Sequence, residues 1–150
     1  MNTIIILGAK YLIILPILVV LVWFVRLPKH EKKQAFFFGL ITLPLAYILA
    51  KIAGHFYFDA RPFIVGNFTP LISHAADNGF PSDHTLLAGA LAATTMCFKN
   101  RCLSTTLWII AILIGIARVY AGIHHPIDII GSLVIAALAG TVAHFVLRRK

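Results

Sequence analysis

The chain alternates long apolar runs with short polar connections. Five runs stand out, at roughly Thr3–Phe24, Phe36–Phe58, Thr85–Phe98, Leu103–Tyr120 and Ile127–Leu147. A helix needs about 20 predominantly apolar residues, within a range of about 17–25, to cross a bilayer. Four of the runs meet that length; the third is short, so its start is expected below the membrane surface. A transmembrane β-barrel would instead show short alternating segments. The pattern therefore predicts an all-α, polytopic membrane helix bundle of about five transmembrane helices. It forms one domain over residues 1–150, with no linker, low-complexity tract or internal repeat. The opening "MNTIIILGAK" carries no basic residue ahead of its apolar run, so that segment is expected to be retained and not cleaved as a signal peptide. Pro16 and Pro44 are expected to kink their spans. Small residues at Gly89, Ala93, Ala136 and Gly140 suit close helix packing.

Composition sharpens this picture. The chain is 60% hydrophobic and only 12% charged, where a soluble domain carries about 25% charged residues. Mean hydropathy is +0.92. A net charge of +8 raises the question of nucleic acid, but the placement of the cations answers it. Arg26, Lys29, Lys32 and Lys33 fill the first connection, Lys99 and Arg101 the third, and Arg148, Arg149 and Lys150 the end of the chain. With five spans these places share one side. Short loops rich in Lys and Arg stay cytoplasmic, so the N-terminus is expected outside and the C-terminus inside, with no nucleic-acid partner. Cys97 and Cys102 flank the cytoplasmic turn, where a disulfide is not expected; they read as buried thiols.

The outer side receives the connection Asp59–Asp83 and the tight turn Gly122–Pro126. Thr69-Pro70 has the form of a helix start, predicting a short surface helix through "PLISHAA". Four of the five acids and five of the seven histidines fall on this side. Ionisable groups in or bordering spans are costly and mark function.

Three constellations concentrate there. In "KIAGHFYFDARPF", Lys51 and Arg61 offer cations at the end of the second span; a guanidinium forks onto phosphate oxygens, while the plainer reading is that both anchor at headgroups. In "FPSDH", Ser82 or Asp83 caps the third span, whose N-terminus offers free N–H groups to an anion beside His84; the plainer reading is capping alone. In "ARVYAGIHHPID", His124 and Asp128 lie four residues apart, which puts them on one face if the fifth helix begins near His124. The carboxylate can accept from one ring nitrogen and leave the other free as a nucleophile. The plainer reading makes Asp128 a first-turn acid facing the helix dipole. His125 competes with His124 for the nucleophile role, and His74 and Asp77 are further candidates to touch the ligand.

Taken together, "RPF", "FPSDH" and "RVYAGIHHPID" resemble the three-part signature of the type-2 phosphatidic acid phosphatase superfamily: Lys-x6-Arg-Pro, Pro-Ser-Gly-His and Ser-Arg-x5-His-x3-Asp. Within it, "ADNGFPSDHT" with "RPF" is most similar to the bacitracin-resistance-type undecaprenyl-diphosphatases. The resemblance covers Lys51 to Gly131. Asp83 stands in place of the signature Gly and Ala117 in place of its Ser. The Lys lies ten residues before Arg61 instead of seven, with Gly54 at the signature position. The family core usually has six spans, one more at the N-terminus than expected here.

The resemblance implies a metal-independent lipid phosphatase without cofactor. Its substrate would be a polyprenyl diphosphate reached from the bilayer, and its site would face outward in the plasma membrane. It implies His124 as nucleophile, Asp128 orienting it and His84 as proton donor. Arg61, Arg118, Ser82 and backbone N–H groups hold the phosphoryl oxygens, with Lys51 a weaker ligand and Asp83 a helix cap or cation partner. Two alternatives stand beside this: a phosphatase for phosphatidylglycerophosphate, phosphatidate or another lipid phosphate, and a small permease or resistance protein that performs no chemistry.

Overall fold

The computed structural model describes residues 2–96, 98 and 100–148, and its regular elements are all helices. In chain order they are α1 (Asn2–Tyr11), α2 (Ile14–Arg26), α3 (Lys29–Phe56), α4 (Pro62–Val65), α5 (Asp83–Thr95), α6 (Arg101–Tyr120) and α7 (Pro126–Arg148). Among the described residues α3, α6 and α7 are each long and apolar enough to cross a membrane. The pair α1 and α2 makes a fourth such unit if taken as one broken span, bent by 43°. Pro16 explains the position of the break. It has no N–H to give to the carbonyl of Leu12, one turn earlier, and Leu15 N donates to that carbonyl instead, at 3.1 Å. Pro44 breaks nothing: α3 runs uninterrupted for 28 residues.

The third apolar run behaves differently from the others. Its helix, α5, has only 13 residues, yet nine of them are buried. It is the central post of the bundle, packed against α3, α6 and α7. A helix that is apolar on every side belongs inside. Its small residues set the distance to α7. A Cβ added to Gly140 would lie 2.6 Å from that of Ala93, and one added to Gly89 would lie 2.9 Å from that of Ala136. Outward-facing Leu40, Ile109, Leu113, Val134 and Leu138 are exposed, giving the long helices a lipid-compatible belt.

Two expectations are corrected. No helix runs through "PLISHAA"; residues 70–77 are bends and irregular chain. Leu71 N donates to the carbonyl of Ala121 at 3.0 Å, and Ile72 is buried with Ala121 and Ile123, so docking on the α6–α7 turn holds the segment open. The short helix forms instead at α4, where Pro62 supplies the first helical position directly after Arg61. Cys102 is exposed, not buried, because it sits in the first turn of α6 at the end of the bundle; Cys97 lies outside the described residues.

Candidate active site

Four helix ends meet on one side of the bundle: the C-terminal ends of α3 and α6 and the N-terminal ends of α5 and α7. With the connection between α3 and α5 they enclose a cavity of about 510 Å³. Lys51, Arg61, Asp83, His84, Arg118 and His124 line it, so six of the eight site residues expected from the sequence converge there. His74 and Asp77 join them.

The turn between α6 and α7 sets the centre. Gly122, at φ +77°, reverses the chain in a conformation that side chains with a Cβ rarely adopt. The backbone then delivers Ile123 into the core and His124 to the cavity wall, with only 2% of His124 exposed. His124 Nδ1 lies 3.1 Å from Asp128 Oδ2. On the other side of the ring, Arg61 NH1 lies 3.4 Å from Nε2. An arginine can only donate, so this contact fits an Nε2 that keeps its lone pair, with the proton on Nδ1 facing the carboxylate. Burial pushes the His124 pKa down; the Asp128 hydrogen bond opposes that, and the charges of Arg118 and Arg61 reinforce it. Asp128 is wholly buried, and the same Oδ2 accepts from His125 N at 2.9 Å.

Both arginines are buried and held from behind. Arg61 NH1 donates to the carbonyl of Ile123 at 2.8 Å, and its Nε meets Asp77 Oδ1 at 2.7 Å. Burial alone would raise the Asp77 pKa; the hydrogen bond and charge of Arg61 outweigh it and hold the group below the usual carboxylate range. Arg118 NH1 donates to the carbonyl of Ala9 in α1 at 3.1 Å, and NH2 lies 3.4 Å from His74 Nε2. Burial, then the Arg61 charge, lowers the His74 pKa. Arg118 Nε is buried with no hydrogen-bond partner among the described residues. An unsatisfied buried donor costs about 1–3 kcal/mol.

Ser82 does not reach the cavity. It is fully buried, its hydroxyl accepting from Thr85 Oγ1 at 3.3 Å and its carbonyl from Ser132 at 3.0 Å, so it fastens α5 to α7. Nor does His125 point inward: its Nδ1 lies 3.0 Å from Asp59 Oδ2. Asp59, His125 and Asp128 come within 4.8 Å of one another, close enough for a metal ion, a proximity the sequence reading did not anticipate. The His125 ring nitrogen and Asp59 are, however, engaged with each other.

Sequence reasoning also passed over Asn78. Its Oδ1 accepts from Asp59 N and Phe80 N, at 2.9 and 3.0 Å, and its Nδ2 donates to the carbonyls of Gly54 and Tyr57, at 2.9 and 3.0 Å. One amide thus ties the end of α3 to the approach to α5. The Asn-Gly pair ahead of "FPSDH" was the available signal.

Residues 35–150 match the sequence model of the PAP2 superfamily. The chain belongs to that superfamily. The PAP2 match takes in every residue of the cavity wall named above. Among similar proteins, the undecaprenyl-diphosphatase BcrC of Bacillus subtilis (strain 168) is 42% identical over 103 residues, covering 68% of this chain and 50% of that protein. The bacitracin transport permease protein BcrC of Bacillus licheniformis is 31% identical over 122 residues, covering 80% of this chain and 58% of that one. This chain thus spans little more than half the length of these curated relatives. The crystal structure of Aquifex aeolicus LpxE shares the PAP2 chain's fold, with a TM-score of 0.72 at 24% identity over 94% of this chain and 81% of that one.

Proposed function

We propose that this chain is an integral-membrane lipid phosphatase that removes the terminal phosphate of undecaprenyl diphosphate through a phosphohistidine, at the extracytoplasmic face. The observation that carries the reading is the His124 ring, held between Asp128 on Nδ1 and Arg61 at Nε2 in a cavity lined by cations.

In the proposed sequence Nε2 attacks the terminal phosphorus and the bond to the bridging oxygen breaks. His84 gives its proton to that oxygen, so the lipid monophosphate leaves. Asp128 stabilises the imidazolium. Arg61 and Arg118 take up charge on the equatorial oxygens. Water then attacks the phosphohistidine, His84 accepts its proton and the P–N bond breaks to release inorganic phosphate. No step asks for a metal ion.

Five spans, with the N-terminus outside, are part of the same proposal: α1 with α2, α3, the α5 segment, α6 and α7. The beginnings of α3 and α6 carry Lys29, Lys32, Lys33 and Arg101, at the helix ends away from the cavity, and such basic ends stay cytoplasmic. Names of the relatives support the polyprenyl diphosphate.

The test is phosphate release from undecaprenyl diphosphate, phosphatidate and phosphatidylglycerophosphate by purified protein. His124→Ala should lower turnover about a thousandfold or more, and acid-labile, base-stable label should be trapped on the wild type alone. Preference for a glycerolipid would end the undecaprenyl assignment. An unimpaired resistance phenotype in His124→Ala cells would favour the permease reading.

A further inference from the structure

The cations of the cavity stand in two tiers. Arg61 and Arg118 are buried, with His124 beside them, whereas Lys51 is exposed at the rim. Lys51 also lines a second cavity of about 400 Å³, which runs along α3 and α5 past Tyr47, Leu86 and Ala90 to Leu43. Among the described residues lining that second cavity Lys51 is the sole cation, and Asp83, the other charged group, also lines both. Beyond Leu43 an apolar groove continues between α2 and α3. Lys51 therefore sits where a polar chamber passes into an apolar one.

Its position is enforced by the fold. Gly54 lies one turn further along α3, facing the approach to α5. A Cβ there would stand 2.9 Å from the carbonyl oxygen of Phe80 and 3.7 Å from both Asn78 Nδ2 and Pro81 Cδ. The backbones close on each other at Gly54, so no long side chain fits at that level. The ammonium is carried instead by Lys51, three residues or about 4.5 Å back along the helix axis, where its Nζ rests 5.1 Å from the centroid of the Tyr47 ring.

Resting on the phosphatase reading, we propose that Lys51 binds the lipid-side phosphate of a diphosphate, not the phosphoryl group being transferred, and so selects diphosphate over monophosphate lipids. The terminal phosphate occupies the inner tier at Arg61, Arg118 and His124. The bridging oxygen then points out toward His84 and the second phosphate reaches Lys51. The hydrocarbon chain continues along the apolar side of the second cavity. An ammonium on a flexible stem suits a group that must be held and then let go, since the lipid monophosphate is the product.

The experiment compares farnesyl diphosphate with farnesyl monophosphate, using purified wild type, Lys51→Met and Lys51→Arg. Wild type should prefer the diphosphate. Lys51→Met should lose about tenfold or more in kcat/KM for the diphosphate, as expected for one charge-assisted contact, and stay within about twofold for the monophosphate. Lys51→Arg should restore most of the preference, and inhibition by inorganic vanadate, which needs only the inner tier, should be unchanged in both variants. Equal slowing of both substrates, or no slowing of either, would overturn the assignment while leaving the phosphatase reading intact. Absence of release from either substrate by wild type would sink both.

Discussion

At the scale of single residues, the site rests on one imidazole with two different neighbours. Asp128 fixes the Nδ1 side of His124 and Arg61 faces Nε2. Burial holds the His124 pKa below its ordinary 6.5, and the Asp128 hydrogen bond works against that shift. In the proposed mechanism the free base attacks, so a lowered pKa would keep the nucleophile available at neutral pH and lose it only on acidification. An NMR titration of ¹⁵N-histidine-labelled protein should therefore place the His124 midpoint below 6.5, and Asp128→Asn should move it lower still. A midpoint above 6.5 would contradict the burial argument. The spacing of Arg118, His124 and Asp128 was legible as a pattern, but the helix expected to begin near His124 begins at Pro126, so His124 meets Asp128 from the turn and not from the same helix face. The different fates of His124 and His125 were not legible, because the partner that turns His125 away, Asp59, is 66 residues distant. Ser82 misled for a related reason. A serine ahead of a helix reads as a cap, yet its hydroxyl is taken up by Thr85 of the same helix, and its carbonyl by Ser132, a contact that exists only once α5 and α7 are packed.

At the scale of elements, hydropathy located every long helix but not its role. The run containing α5 reads as a short span, and only the packing shows it to be the buried post around which α3, α6 and α7 stand. The small residues that permit this were visible in the sequence; their pairing, Gly89 with Ala136 and Ala93 with Gly140, follows from the close approach of the two helices. Gly140→Leu should therefore push α7 off α5 and destabilise the protein by about 1–3 kcal/mol, seen as a lower midpoint of thermal unfolding in detergent. Leu138→Ala, on the exposed face of the same helix, should leave that midpoint nearly unchanged. The break between α1 and α2 was foreshadowed by Pro16, displaced by one turn because the missing hydrogen bond belongs to Leu12. Irregular chain over residues 70–77 was not foreseeable from Thr69-Pro70, since what holds it open is the distant carbonyl of Ala121.

At the scale of the whole molecule, the cavity gathers at one end of the bundle and the basic helix ends at the other. The proposed orientation has a direct check. Cys102 is exposed in the first turn of α6, at the basic end. In a Cys97→Ser background an impermeant maleimide should fail to label Cys102 in intact cells and should label it after permeabilisation. Labelling of intact cells would turn the cavity toward the cytosol. The contact between Arg118 NH1 and the carbonyl of Ala9 reaches further still. It makes the first helix a support of the candidate site although that helix lines none of its cavity. A shift of α1 would move the backstop of a guanidinium in the candidate site, so substitutions that loosen α1 around Ala9 should be felt at Arg118.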